Sequence, residues 1–314
     1  MNKNIIVLCG GFSDEKEISI KSSQAISAAL TENGFIVELV NPADFNSYAH
    51  LLNYLNDRKP HLVFNGLHGA EGEDGRIQSM LSLEHIPFTG SGHTGSAIAM
   101  DKFASTLIAQ SLQIPCPKQI LLKNNELLSN DDIDFLQIPF IVKPNSNGSS
   151  VGITIVNDKY QMPQAINNAF KYDNNVLCQQ FIPGRELTVS ILGETIMPIV
   201  EIKPLEGFYD FNNKYTKGKT NYICPAELTE DESKIVKEYA GAVFKACSCS
   251  IYGRVDFRYD GNRFYFLEIN TLPGMTELSL TPMSAKAINI SFNELINQIV
   301  ELSLAQFKSQ IAQK

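Results

Sequence analysis

At 314 residues with 44% hydrophobic content, the chain can bury a sizeable core and is long enough for two or three domains. A net charge of −8 excludes a general nucleic-acid binder, because affinity for a phosphate backbone comes from clustered Lys and Arg; any phosphate site must be local. No apolar run approaches the ~20 residues that span a bilayer, so neither nucleic acid nor membrane is expected as a partner and the chain reads as soluble.

The apolar run Ile5 to Cys9 is followed at once by Asp14, Glu15 and Glu17, which reads as a buried strand rather than a secretory leader. A helix from Ile18 to Glu32, stopped by Gly34, leads to a strand Ile36 to Val40, a helix near Ser47 to Asn56 and a strand Leu62 to Asn65. This alternation predicts a parallel α/β unit whose ligand edge lies at the carboxyl ends of the strands, where Gly10, Gly11 and His68 fall. After Gly90 come a helix from about Gly95 to Gln110, strands Phe140 to Lys143 and Val151 to Val156, a helix from about Tyr160 to Lys171 and a strand Val176 to Ile182. The remainder predicts strands Glu186 to Leu192 and Ile196 to Ile202, a polar loop, a helix from about Glu230 to Cys249, and strands Gly253 to Tyr259 and Arg263 to Asn270. Phe292, Leu295, Ile299 and Leu302, at helical spacing, mark a closing helix. The domain boundaries so read are 1–90, 91–182 and 183–314.

The six cysteines form no CxxC pair and read as buried free thiols of a reducing cytoplasm. All five histidines, His50, His61, His68, His85 and His93, lie in the first third, so chemistry in the rest of the chain must use carboxylates, Lys, Arg and backbone. Gly90-Ser-Gly92-His-Thr-Gly95 matches the dinucleotide fingerprint in letters, yet no acidic residue ends a following strand and Pro115 and Pro117 interrupt the region; it reads as a turn into a helix. Gly218-Lys219-Thr220 lacks the upstream glycine of a phosphate loop, and Tyr209 to Tyr222 reads as a polar loop over a site.

Two segments carry the chemistry. Lys143 runs directly into Asn145-Ser-Asn-Gly148-Ser149-Ser150-Val-Gly152, small residues that let backbone N–H groups approach an anion. Gly253 to Asn270 reads as a β-hairpin in which Arg254 and Asp256 share one face and Glu268 and Asn270 share one face. A three-residue loop, Asp260-Gly261-Asn262, sets Arg254 opposite Glu268 and Asp256 diagonal to it. Two carboxylates and an amide oxygen are hard ligands that suit Mg²⁺ bound to substrate phosphates. Pro273-Gly274 then makes a turn able to present a bare N–H to a developing oxyanion.

With Gly10-Gly11, Glu15, His68-Gly-Ala-Glu-Gly-Glu-Asp-Gly75 and Met100-Asp-Lys102, these motifs occur in the order found in D-alanine–D-alanine ligases, and the chain resembles that family nearly end to end. The resemblance implies an ATP-grasp fold, α/β and in part α+β, with an N-terminal parallel α/β domain and central and C-terminal α+β domains. It implies an ATP-dependent ligase that makes D-alanyl-D-alanine for peptidoglycan through a D-alanyl phosphate, as a cytoplasmic homodimer. ATP would lie between the central and C-terminal domains, with Lys102, Lys143 and Lys214 on its phosphates and Ser150 in the loop covering them. Gln179, Gln180, Phe181 and Ile182 would line the adenine and Glu186 would bind the ribose. The family often has Glu-Lys at Gln179-Gln180, which backbone contacts to the base tolerate. Asp256, Glu268 and Asn270 would hold two Mg²⁺, or Mn²⁺ in their place. Glu15, linked to Ser149 and Tyr215, would meet the first ammonium, with His68 near that substrate, and Tyr209 would be a further substrate-binding residue. Arg254, Ser279 and the Leu280 backbone would bind the second carboxylate, and Gly274 would serve the oxyanion.

Overall fold

The computed structural model describes residues 3–123, 126–148, 151–205, 218–276 and 279–312. Ser149, Ser150, Tyr209, Lys214 and Tyr215, all assigned roles above, lie outside the described residues.

Among the described residues the strands form three sheets. In the first, β1 (Asn4–Leu8) lies between β2 (Ile36–Val40) and β3 (Leu62–Asn65), all parallel. Alternate residues of β1 feed opposite cores. Ile5 and Val7 pack with Ile26 and Leu30 of α1 (Lys16–Glu32); Ile6 and Leu8 pack with Leu51 and Leu55 of α2 (Tyr48–Arg58) and Ile77 and Leu81 of α3 (Arg76–Leu83). A strand buried on both faces must be apolar throughout, which is why Ile5-Ile-Val-Leu8 has no polar member.

The long helix expected from Gly95 to Gln110 is two helices, α4 (His93–Met100) and α5 (Lys102–Ser111). Asp101 breaks it. Its backbone is extended (ψ 96°), its carboxylate caps α5 by accepting from Ala104 N at 2.9 Å, and Asn145 Nδ2 donates to the same oxygen at 2.8 Å. The break makes Lys102 the first residue of a new helix and turns its ammonium toward Asn147, whose carbonyl it reaches at 2.7 Å.

The second sheet contains β4 (Gln119–Lys123), β5 (Phe140–Pro144), β6 (Thr154–Val156) and β7 (Asn175–Gln180), in the antiparallel order 4-7-5-6. Phe140, Val142, Val176 and Cys178 bury one face under α6 (Asn130–Leu136) and α7 (Met162–Ala169). By the period of two, Lys143 and Gln179 point to the other face. β6 is shorter than expected because Gly152, at φ +73°, cannot continue the extended run.

The third sheet has order 10-9-8-11-12, from β8 (Arg185–Leu192), β9 (Thr195–Pro204), β10 (Thr220–Ile223), β11 (Tyr252–Tyr259) and β12 (Phe264–Asn270). Ala99 of α4 and Ala109 of α5 share its core with Val236, Ala240 and Val243 of α8 (Glu230–Ala246) and with Phe257 and Phe266. After α9 (Leu280–Lys286), α10 (Phe292–Ala312) returns to the first sheet, burying Leu295, Ile296 and Ile299 against Ile5 and Leu30. The elements β4, α3, α6, β10 and α9 had not been read from the sequence.

Candidate active site

The β11–β12 hairpin differs from its expected register. Tyr259 pairs with Phe264 and Phe257 with Phe266, after which the register shifts so that Asp256 faces Glu268 and Arg254 faces Asn270. The turn closes one residue later than expected because Asp260 Oδ1 accepts from both Asn262 N (2.8 Å) and Arg263 N (2.7 Å). That change alone would put Leu267 opposite Asp256. The bulge absorbs Leu267 and restores Glu268 and Asn270 to the charged face, while Phe257 and Phe266 stay on the core face, ring centroids 6.1 Å apart.

On the charged face each carboxylate has a cation. Arg254 grips Asp256 through two bonds of 2.9 Å, and Thr188 Oγ1 donates to Asp256 Oδ1 at 2.6 Å. Lys102 Nζ lies 3.5 Å from Glu268 Oε2. Lys143 is buried on the facing sheet. Burial pulls its ammonium down to about 8, with Lys102 acting in the same sense and Glu268 and Glu186 opposing. Burial pushes Glu186 up to about 7; Arg258 offsets this, and Asp256 and Glu268 add to it.

These donors fit a small hard dication. Asp256 and Glu268 face each other across the hairpin, and Asn270 Oδ1, which accepts from Leu272 N at 3.0 Å, retains a second lone pair. Among the described residues no cluster of three or more His, Cys, Asp or Glu could hold a metal. Two carboxylates and an amide suit an ion that takes most of its shell from water and phosphate oxygens.

A cavity of about 590 Å³ opens beside the hairpin and brings nine of the predicted residues together: Glu15, His68, Lys102, Arg254, Glu268, Asn270, Gly274, Ser279 and Leu280. Glu15 stands at the start of α1 without using its side chain to cap it, and a Cβ on Gly148 would come within 2.3 Å of its Oε1. The loop after β5 thus comes close against that carboxylate, and a side chain at 148 would have to displace it. Ser22 Oγ joins three parts of the site, meeting His68 Nε2 at 3.3 Å and accepting from Met275 N at 3.4 Å. Ser279 Oγ accepts from Thr276 N at 3.0 Å rather than capping α9, so it braces the Pro273–Thr276 turn.

A second cavity, of about 410 Å³, is lined by Phe181, Glu186, Lys203, Arg258 and Ile155. Gln179 is buried in the same cross-strand row as Ile141 and Ile155. Gln180 is drawn off toward Lys118, whose N–H it accepts at 3.3 Å, and Ile182 offers its carbonyl to Arg258. Thr188, Ser22, Glu73 and Asn147 also belong to the site; Glu73 and Asn147 fall inside the motifs quoted above without a role of their own, and Thr188 and Ser22 were not singled out from the sequence. Glu73, 3.6 Å from His68 Nδ1, was legible as an acidic residue on His68's own loop; Thr188 and Ser22, single hydroxyls within regular elements, gave no signal.

A family model described as D-ala D-ala ligase C-terminus matches residues 108–301. A curated D-alanine–D-alanine ligase from Methylacidiphilum infernorum is 40% identical over 308 residues, covering 98% of this chain and 97% of that protein. The crystal structure of the D-alanine–D-alanine ligase from Bacillus anthracis complexed with ATP superposes with a TM-score of 0.87 at 34% identity, covering 99% of each chain. The VanG D-Ala:D-Ser ligase from Enterococcus faecalis superposes at 0.82 with 30% identity, covering 96% of this chain and 100% of that one. With these similarities along almost its whole length, the chain belongs to the D-alanine–D-alanine ligase family and has that family's ATP-grasp fold.

Proposed function

We propose that the protein uses ATP to join two D-alanines into D-alanyl-D-alanine for peptidoglycan precursor synthesis, acting in the cytoplasm as a homodimer. The observation that carries this reading is the single charged face of the hairpin, where Arg254, Asp256, Glu268 and Asn270 meet Lys102 and Lys143, with Glu15 and His68 lining the same cavity as Arg254, Glu268 and Asn270. Nucleotide phosphates fit the lysine side and a small amino acid fits the Glu15 side.

A carboxylate oxygen of the first D-alanine attacks the γ-phosphorus, and the bond to the ADP oxygen breaks with its electron pair leaving on ADP. The amine of the second D-alanine then attacks the acyl carbon, inorganic phosphate departs and the amine proton is lost. The work required of the protein is charge neutralisation and positioning. Lys102 and Lys143 hold the phosphates, Glu15 takes the first ammonium, and Arg254 with Ser279 and the Leu280 N–H receives the second carboxylate. Arg254 and the Gly274 N–H face the tetrahedral oxyanion. Two Mg²⁺ ions held by Asp256, Glu268 and Asn270 would neutralise the charge on the β- and γ-phosphates. Ser149 and Tyr215, assigned to the link with Glu15, belong to the same proposal, as do Tyr209, Lys214 and Ser150.

The test measures ADP release and identifies the product with D-alanine, L-alanine, D-serine or D-lactate, each added alone and then together with D-alanine. D-alanine alone should support rapid turnover with D-alanyl-D-alanine as product. Equal or faster release with D-alanine plus D-serine or D-lactate, giving the mixed product, would reassign the second substrate.

A further inference from the structure

Arg258 projects from β11 opposite Glu186 of β8 and makes three bonds, two to backbone carbonyls and one to a carboxylate. Its Nε donates to the Ile182 carbonyl at 3.1 Å, Nη2 to the Gly184 carbonyl at 2.7 Å and Nη1 to Glu186 Oε2 at 3.2 Å. The two carbonyls lie in the short strap between the end of β7 at Gln180 and the start of β8 at Arg185, outside both ladders, so Arg258 supplies donors that no strand provides. The strap lies tightly on the end of β11: Gly184 has φ +109° and a Cβ there would be 2.2 Å from the Tyr259 carbonyl.

The strap matters because of what flanks it. Phe181 on the strap and Glu186 just beyond it both line the 410 Å³ cavity, as does Arg258 itself. The segment that enters the second sheet, residues 112–118 between α5 and β4, is held to the third sheet separately, by Phe266 N donating to the Pro115 carbonyl at 2.9 Å. Neighbouring Arg185 is engaged with Glu201 at 2.7 and 3.0 Å and cannot stand in. A lysine at 258 offers one ammonium where the guanidinium fork serves three acceptors.

We propose that Arg258 is a positioning residue for the nucleoside, fixing the 181–184 strap and the Glu186 carboxylate together so that Glu186 is preset to accept hydrogen bonds from the ribose hydroxyls. The inference rests on the reading of Glu186 as the ribose-binding carboxylate. Arg258 touches no reacting atom; it acts through Glu186 and the strap, so its loss falls on nucleotide recognition and not on the chemical step.

The experiment compares ATP with 2′,3′-dideoxy-ATP, which lacks the hydroxyls, in the wild-type protein and in Arg258→Lys and Arg258→Met. In the wild type the dideoxy nucleotide should show a KM higher by about tenfold or more, as expected for loss of bonds to a charged group. In Arg258→Met the KM for ATP should rise toward the dideoxy value until the two nucleotides are indistinguishable, with kcat within about threefold and the KM for D-alanine unchanged. Arg258→Lys, the milder change, should give an intermediate ratio. A ratio as large in both variants as in the wild type overturns the role of Arg258, whatever happens to kcat or melting temperature. A wild type that does not distinguish the two nucleotides overturns the ribose reading of Glu186, and the inference with it.

Discussion

Lys143 shows how burial sets the chemistry of a single residue. Its folded value of about 8 lies below the ordinary lysine value, so from about pH 8 to 10.5 the unfolded chain retains a proton that the folded, nucleotide-free protein has released. Stability therefore rises with pH across that window through this group, and below pH 8 the cost of burying the ammonium is present in full. ATP reverses the preference, since its phosphates need the charged form. Binding at pH 9 should take up close to one proton and weaken as pH rises above 8, which titration calorimetry in two buffers of different ionisation enthalpy would detect. Uptake of no proton would contradict the placement of Lys143 on the phosphates. Arg254 makes a complementary case, because it is paired with Asp256 on the hairpin face and with the oxyanion in the proposed mechanism. Arg254→Ala should keep ATP binding and lose a factor of hundreds in ligation, about 3–4 kcal/mol. Near-normal turnover in that variant would remove Arg254 from the mechanism.

At the level of elements, Gly95 of Gly90-Ser-Gly92-His-Thr-Gly95 finds its explanation in packing, and Gly92 does not. A Cβ at Gly95 would lie 2.3 Å from the Ser248 carbonyl, where α4 meets the end of α8, whereas at Gly92 it would meet nothing within 4 Å. Gly95→Ala should cost about 1–3 kcal/mol in urea unfolding, and Gly92→Ala close to nothing. A phosphate-cradling loop would instead make Gly92→Ala damaging to nucleotide binding. The strands of the hairpin were legible from their alternating charges, and the closing helix from its apolar spacing. The register was not, because it depends on how many N–H groups Asp260 gathers and on where Leu267 is absorbed, and neither follows from period two. The break at Asp101 was hidden for a related reason: the helical pattern runs through it, and the deciding partner, Asn145, lies far along the chain. β4 and α6 were obscured by flanking prolines, although Ser129 and Asp132 form a capping box that local reading could have found.

In the whole molecule, the site exists only where all three sheets meet. Ser22 from the first unit holds both His68 and the turn after β12, Gly148 from the second reaches Glu15, and the hairpin of the third supplies the charged face. Motif order along the chain announced these parts; their convergence needed the fold. Chelating divalent ions should abolish turnover, leaving Asp256 to Arg254 and Glu268 to Lys102, and Mg²⁺ or Mn²⁺ should restore it. Turnover persisting in excess chelator would remove Asp256, Glu268 and Asn270 from that role. In the proposed reaction ATP activates the carboxylate of one D-alanine for attack by another. This activation is tested most directly by supplying D-alanine labelled with ¹⁸O in its carboxyl group and analysing the products by mass spectrometry. One D-alanyl-D-alanine should form per ADP, with inorganic phosphate carrying a single ¹⁸O; phosphate free of the label would contradict acyl-phosphate formation.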